Sequence, residues 1–246
     1  MYIAHPFLKQ PPDDARLWRY MTPTVFLSML LARSLYFARL DSFEDPFEGV
    51  PPPAVLEAAR KQRHPDSDEA ARRLDAWKTM ISRCRTSFCA SCWHMGDEES
   101  EAMWKIYGRL EDGLAIATTL KSIKAAFSNH DVAGGLVDYS GREFEAGTTD
   151  ENLLQWATTK RPSYKHENEF RLLARRTTQP SIDSAHQREQ DDDAGLSLPI
   201  DPAVLIEEVV LAPRRAGWPA ELFRGLFERL GFNRPVQMSS LLTSPF

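Results

Sequence analysis

The stretch LWRYMTPTVFLSMLLARSLYFA, residues 17–38, decides the fold class because it places a strand, a helix and a second strand in one short segment. Thr22 followed by Pro23 is typical of a helix start, with the threonine as N-cap and the proline in the first turn. Apolar residues then recur at helical spacing. The flanking segments 17–20 and 34–38 predict strands, so the chain opens as strand–helix–strand.

Strands and helices continue to alternate along the rest of the chain. The pattern predicts strands at 85–94, 113–119, 136–139, 167–175, 196–200, 206–211 and 236–240, and helices at 54–82 with a break at 64–66, 98–107, 120–127, 152–160 and 219–230. This order predicts an α+β fold, one domain over residues 1–246, with a central mixed or antiparallel sheet, continuous or split, flanked by helices. The polar run 179–194 lacks aromatic residues and predicts a mobile surface loop.

Composition excludes several classes of protein. Hydrophobic residues make up 42% and charged residues 26% of the 246 residues, as in an ordinary folded enzyme or binding module. The net charge of −5 includes no dense basic block, which argues against binding to bulk duplex DNA and leaves a local basic groove open. Neither a Gly-rich dinucleotide or P-loop motif nor Gly-x-Ser-x-Gly is present, which disfavours Rossmann dehydrogenases, P-loop enzymes and common α/β-hydrolases.

The compartment follows from the start of the chain and from its cysteines. Residues 1–10 lack a basic region followed by an apolar stretch, and no later segment is apolar for long enough to cross a bilayer. Three cysteines are a poor framework for disulfides and suit a reducing compartment. We therefore expect a cytoplasmic protein without a membrane partner.

Five blocks taken together resemble the bacterial domain of unknown function 2971 family. Each block is short, and the order and spacing of all five carry the resemblance over nearly the whole chain. They are WRY at 18–20, LYF at 35–37 with DPFE at 45–48, MWKIY at 103–107 with GLAI at 113–116, residues 165–171, and residues 206–213.

The opening strand–helix–strand and the late Glu-x-Glu segment are also similar to the split sheet of ADP-ribosyltransferases. That resemblance implies NAD as a co-substrate, held by a basic residue of the first strand and by aromatic rings, with a glutamate of a later strand at the ribose. Arg19, Tyr20 or Tyr36, and Glu169 occupy the matching places in chain order. The Ser-Thr-Ser strand of the superfamily has no clear counterpart, since only Thr118 and its neighbour stand in the middle of the chain.

The segment HENEFR, residues 166–171, carries the most informative charges. Two-residue spacing on a strand places Glu167, Glu169 and Arg171 on one face. A carboxylate near the ribose stabilises the positive charge that develops when the glycosidic bond of NAD breaks, which makes Glu169 the catalytic candidate. The alternative is a structural network in which Glu169 and Arg171 form ion pairs, with Asp45 or Arg39 as further partners.

Arg19 and Trp93 each face a similar choice. Arg19 serves either as a phosphate-binding fork or as the buried partner of an acid, and its place next to Trp18 and Tyr20 favours ligand contact. Trp93 either stacks on a planar ring of the ligand or packs in the core. We therefore assign Glu169 and Arg19 as catalytic candidates, and assign binding of the co-substrate to four residues: Tyr20, Tyr36, Trp93 and Arg171.

Residue types that bind metals cluster at two places in the sequence, and at both a structural role is favoured over metal binding. Asp45 and Glu48, in the Pro-rich loop 41–53, lack further acids or histidines nearby, so a loop brace is favoured over a carboxylate metal site. The set Cys84, Cys89, Cys92 and His94 has zinc-like spacing without a fourth cysteine. Buried packing of the small thiols is the favoured interpretation, and we expect no metal.

Two functional hypotheses follow. The first is an NAD-utilising effector of bacterial stress or anti-phage defence, similar to an ADP-ribosyltransferase or an NAD glycohydrolase, that binds a small-molecule nucleotide and acts on NAD alone or on a protein or nucleic-acid target. The second is a non-catalytic sensor module that binds a nucleotide or a protein. A nuclease-like effector using Asp45, Glu48 and His94 with a divalent metal is a third alternative.

Overall fold

A computed structural model describes residues 1–51, 67–108, 110, 112–127, 130–140, 149–176, 195–213 and 218–242 of the chain. The loop expected at 179–194, and the part of the expected helix 54–82 that precedes residue 67, lie outside these residues.

The described residues form strands, helices and two 3₁₀ segments in alternating order. The strands are β1 (Tyr2–Ile3), β2 (Arg16–Met21), β3 (Ser34–Arg39), β4 (Phe88–Met95), β5 (Leu114–Thr119), β6 (Val132–Leu136), β7 (Glu169–Arg175), β8 (Gly195–Pro199), β9 (Glu208–Leu211) and β10 (Val236–Met238). The helices are α1 (Pro23–Ala32), α2 (Ser67–Ser87), α3 (Glu101–Met103), α4 (Leu120–Ala126), α5 (Thr149–Trp156), α6 (Pro202–Leu205) and α7 (Trp218–Arg229). The segments Leu40–Ser42 and Pro162–Glu167 are 3₁₀ helices, and Trp104–Gly108 is a π-helical turn that continues α3.

The strand–helix–strand opening is confirmed as β2, α1 and β3. Thr22 caps α1 as the sequence predicts, because its hydroxyl accepts a hydrogen bond from the Val25 amide at 3.4 Å, and Pro23 occupies the first turn. Arg33 ends the helix in the left-handed conformation with φ 47°, which turns the chain directly into β3. The start of α1 therefore follows from local sequence, whereas its end at Arg33 does not.

The sheet is mixed, which confirms the predicted α+β fold. Its order along the main path is β1-β6-β7-β4-β2-β5-β9-β10, and β8 continues outward from β3. The outer pairs β1·β6 and β9·β10 are parallel, whereas all the inner pairs are antiparallel. None of the helices among the described residues is long and apolar enough to cross a membrane.

Strand β4 is the point at which the sheet divides. One edge of β4 pairs with β7 over nearly its whole length, from Phe88 opposite Arg175 to His94 opposite Glu169. The other edge pairs with β3 near its start, at Cys89 and Ala90, and with β2 near its end, at His94 and Met95. Because β2 continues to β5 and β3 continues to β8, the two halves diverge on either side of residues 91–93. We call this divergence the fork.

The two faces of the sheet are covered by separate apolar clusters. The larger cluster contains Phe26 of α1 and Phe227 of α7, whose ring centroids lie 5.4 Å apart. A second cluster joins α2 and α5 to the opposite face, where Trp77 stacks on Trp156. Burial of side chains of this size contributes about 1.5–3 kcal/mol each, so each face has its own source of stability.

Candidate functional site

An open cleft of about 650 Å³ lies at the fork. Its walls come from β2, β4, the start of β7, the loop after β3, the π-helical turn and the 3₁₀ segment Pro162–Glu167. Its volume falls in the range of small-molecule sites, which is about 300–1,000 Å³. The cleft is therefore large enough for a nucleotide-sized ligand.

Arg19 projects from β2 on the face of the sheet that carries Ser91 and Trp93, opposite to the face of Glu169, and it borders the cleft at the fork. Its Nη1 donates to the Ser91 hydroxyl at 2.7 Å, and its Nη2 donates to the backbone carbonyl of Tyr36 at 3.3 Å. No ion pair within the described ranges includes Arg19, and burial lowers the pKa of its guanidinium, with nearby Cys92 acting in the opposite direction. A guanidinium has five N–H donors, so Arg19 keeps free donors for an anion in the cleft.

A buried ionic network forms the opposite wall, centred on Arg171. The Arg171 side chain is fully buried. Its Nε donates a hydrogen bond to Glu169 Oε1 at 2.6 Å, and its Nη2 donates one to Glu169 Oε2 at 2.9 Å. Its Nη1 donates to Glu48 Oε2 at 2.7 Å and to the Ala157 carbonyl at 2.8 Å. Such bidentate pairing holds the Glu169 carboxylate in one orientation.

Lys160 completes the network on the cleft side. Its ammonium lies 2.6 Å from Glu167 Oε2, 3.3 Å from Glu48 Oε1 and 3.7 Å from Glu169 Oε2. The hydroxyl of Tyr107 donates to Glu167 Oε1 at 2.9 Å. Three carboxylates and two cations give a formal charge of 2 − 3 = −1, so this wall is negative while Arg19 makes the fork positive.

The network keeps Glu169 ionised although it is buried. Burial alone would raise the pKa of this carboxyl, and the charge and hydrogen bonds of Arg171, with Lys160, reverse the effect and lower it. Burial and the neighbouring Glu169 charge raise the pKa of the Cys92 thiol well above its usual range. A thiol whose pKa is raised in this way is disfavoured as a nucleophile.

The lowered pKa of Glu169 predicts a loss of stability in acid. A depressed carboxyl pKa contributes stability above the unfolded-state value of about 4.3, and that contribution disappears as the pH falls toward the folded-state value. We expect the free energy of unfolding, measured with urea, to decrease steeply below about pH 4. The Glu169→Gln variant should show a shallower acid slope, and an equal slope would contradict this assignment.

Four of the six residues predicted for the site line the cleft together: Arg19, Tyr20, Trp93 and Glu169. Tyr20 is mostly buried, and its hydroxyl accepts from the Ser100 amide at 2.7 Å, while burial raises the pKa of the phenol to about 12. Trp93 is 1% exposed and donates to the Ser91 hydroxyl at 3.2 Å. Both aromatic side chains therefore form part of the cleft wall and expose little ring surface on which a ligand could stack.

Tyr36 and Arg171 lie elsewhere. Tyr36 borders a second cavity of about 350 Å³ beside α1, which Arg19 also borders. Arg171 lies behind the cleft wall and contacts it only through Glu169 and Glu48. A direct contact of Arg171 with a ligand in the cleft, as the sequence analysis expected, does not fit this position.

The predicted strand 167–175 begins two residues later than expected. Asn168 has φ 39° and ends the 3₁₀ segment, so β7 starts at Glu169 and Glu167 does not lie on the strand. Asparagine tolerates this left-handed conformation better than most residues. Glu167 nevertheless reaches the same wall through Lys160 and Tyr107.

The proposed partners of the network also differ from the prediction. Asp45 accepts hydrogen bonds from Nε and Nη2 of Arg161. Arg39 pairs with Asp41, so neither Asp45 nor Arg39 contacts Glu169. Asp45 is thus the predicted loop brace. Lys160 was missed because nothing in its local sequence distinguishes it from a solvated lysine at the end of a helix.

The cysteine and acid sets do not converge on a metal. Cys89 packs in the cluster on one face of β4 and Cys92 against the cluster on the other, while Cys84 donates its thiol to the Leu153 carbonyl from α2. Across the described part of the chain, no three His, Cys, Asp or Glu side chains are grouped as metal ligands. The nuclease-like set of Asp45, Glu48 and His94 is accordingly not assembled.

Comparison with solved structures gives matches at low sequence identity. No family model and no curated protein matches the chain, so the resemblance to the domain of unknown function 2971 family stays a prediction. DarT of Thermus sp. 2.9 in complex with ADP-ribosylated ssDNA superposes with a TM-score of 0.41 at 13% identity, over 94% of this chain and 97% of that chain. DarT in complex with NAD+ gives 0.41 at 11% identity, over 93% and 97% of the two chains.

Proposed function

We propose that the protein uses NAD as a co-substrate and cleaves its nicotinamide–ribose bond, as an ADP-ribosyltransferase or an NAD glycohydrolase does. The polarity of the cleft is the observation that carries this proposal. Arg19 supplies a cation without an ion-pair partner among the described residues, and the opposite wall has an excess carboxylate. NAD is polar in the complementary sense, because its pyrophosphate is anionic and its nicotinamide ring is cationic.

Glu169 is the proposed catalytic carboxylate. When the glycosidic bond breaks, its electron pair leaves with neutral nicotinamide, and positive charge develops on the ribose ring. A carboxylate already fixed by Arg171 stabilises that charge without reorganisation during the reaction. Water or the hydroxyl of an acceptor then forms the new bond to the ribose and releases a proton.

The second cavity offers room for the other half of the dinucleotide. Arg19 borders both cavities, so a pyrophosphate at its guanidinium would have the nicotinamide riboside in the cleft and the adenosine beside α1. Tyr36 borders that second cavity and is 40% exposed. A contact of Tyr36 with the adenosine, the cofactor-binding role expected from the sequence, is part of this proposal.

Incubation of the pure protein with NAD, followed by chromatography of free nicotinamide, tests the proposal. Turnover with ADP-ribose as product supports a glycohydrolase, and transfer of label from NAD to a protein or nucleic acid in a bacterial extract supports a transferase. An effector of stress or anti-phage defence should also lower the NAD content of cells that express it. Tight NAD binding with no turnover in any of these assays contradicts catalysis.

Replacement of Arg19 should weaken binding of NAD more than it affects the fold. Arg19→Gln removes the only proposed phosphate contact in the fork, and loss of a charge-assisted hydrogen bond costs about 1.5–3 kcal/mol, or roughly 10- to 150-fold in affinity. Calorimetric titration with NAD measures the change. Arg33→Gln, at an exposed ion pair with Asp201, is the matched control and should leave affinity unchanged.

One observation favours a non-catalytic binding module as the second candidate. Both carboxylate oxygens of Glu169 accept hydrogen bonds from Arg171, which is the arrangement of a structural brace. In that case the cleft recognises a nucleotide or a protein, and Glu169→Gln changes stability without changing a reaction.

A further inference from the structure

His94 is one of two histidines that border the cleft, and the proposed reaction assigns a role to neither. It lies near the end of β4, borders the cleft, and stands directly opposite Glu169 in the β4·β7 pairing. Directly opposed residues of neighbouring strands project to the same face with about 4.5–5.5 Å between their Cβ atoms. The imidazole is therefore next to the carboxylate to which we assign the ribose.

A single contact fixes which nitrogen of His94 carries the proton. Nδ1 lies 2.6 Å from the backbone carbonyl oxygen of Glu167. A carbonyl oxygen only accepts, so Nδ1 is the donor, and the neutral ring has its lone pair on Nε2. The turn at Asn168 separates Glu167 from β7 and leaves its carbonyl available for this contact.

The second ring nitrogen, Nε2, is the candidate for contact with a ligand, because His94 borders the cleft. Within the residues that the structure describes, this nitrogen has no hydrogen-bond partner. Gly96 follows two positions later, and a Cβ at that position would stand only 3.2 Å from Nε2. Any side chain at position 96 would therefore crowd the lone pair, whereas glycine leaves it clear.

We propose that His94 is the general base that activates the nucleophile. Nε2 takes the proton from the oxygen of water or of an acceptor hydroxyl as that oxygen bonds to the ribose carbon and nicotinamide leaves with the electron pair of the broken bond. The Glu167 carbonyl orients the ring and favours the imidazolium that forms, as the third group does in other nucleophile–base–orienter sets. This assignment rests on the proposed function.

His94→Asn provides the sharpest test. The asparagine amide nitrogen can replace Nδ1 as donor to the Glu167 carbonyl, so the local hydrogen bond is kept and only the base is lost. General-base catalysis contributes about 10²- to 10⁴-fold, and we expect kcat for nicotinamide release to fall by that factor at an unchanged melting temperature and NAD affinity. In His94→Ala, added imidazole should restore part of the rate.

Gly96→Ala tests the same nitrogen without changing the histidine, because its Cβ presses on Nε2. We expect a smaller loss of kcat and no rescue by imidazole. If the wild-type protein releases nicotinamide and His94→Asn does so at the same rate, the role of His94 is overturned and the proposed function stands. If the wild-type protein binds NAD without releasing nicotinamide, both are overturned.

Discussion

Arg171→Met should lower the free energy of unfolding by about 3–5 kcal/mol, the range for breaking a buried ion pair from one side. Arg171 is completely buried and donates to Glu48, Glu169 and the Ala157 carbonyl. Methionine fills similar space but leaves these carboxylates with Lys160 as the one remaining cation of the network. Urea unfolding, monitored by tryptophan fluorescence, measures the loss.

Arg33→Met is the matched control for this effect. Arg33 likewise pairs with a carboxylate, that of Asp201, but its side chain is 64% exposed. Exposed pairs contribute about 0–1 kcal/mol. Arg171→Lys should fall between the two variants, since a lysine keeps the charge and loses the bidentate geometry. Equal losses in Arg171→Met and Arg33→Met would show that the network contributes nothing specific.

Glu169→Gln should reduce nicotinamide release by about 10²- to 10³-fold, the size of effect seen when one electrostatic contact to a transition state is removed. Glutamine preserves the shape of the side chain and removes the negative charge. Because the neutral amide also weakens the pairing with Arg171, we expect a lower melting temperature as well. Single-turnover assays at saturating NAD separate the catalytic loss from the structural one.

Glu48→Gln separates the two roles of the network. Glu48 is 1% exposed, borders the same cleft and contacts the same arginine, so its variant should lose similar stability. It does not belong to the strand proposed to face the ribose, so kcat should change little, whereas the KM for NAD should rise because the wall loses its excess negative charge. If both variants lose turnover in proportion to their stability, Glu169 is a brace and not a catalytic residue.

Local signals in the sequence predicted the fold well. The cap at Thr22 and the helical spacing that follows located β2, α1 and β3, because these elements depend on neighbours in the chain. The helix expected at 98–107 is instead a short α-helical turn followed by a π-helical turn, in which Trp104 is fully buried and bonded to Glu99. Tertiary packing of that ring overrides helical periodicity.

The site was only partly predictable, for a related reason. Strand periodicity placed Glu169 beside Arg171, and the structure keeps them as a pair. The second partner of that arginine, Glu48, is 123 positions away in the chain, and no local pattern connects them. The tautomer of His94 depends on the Glu167 carbonyl, which the turn at Asn168 makes available. The sequence predicted a strand through residue 167, so this contact was not foreseen.

The fork has a consequence for a protein that is being made on a ribosome. Synthesis runs from the N-terminal side, so Arg19 of β2 emerges before Glu169 of β7, which follows it by 169 − 19 = 150 residues. Strand β4 can hold β2 and β3 before that point, but the carboxylate wall of the cleft does not yet exist. A nascent or truncated chain that ends before residue 169 is therefore harmless to the NAD pool of its cell under the proposed function, since no fragment of that kind contains both sides of the site.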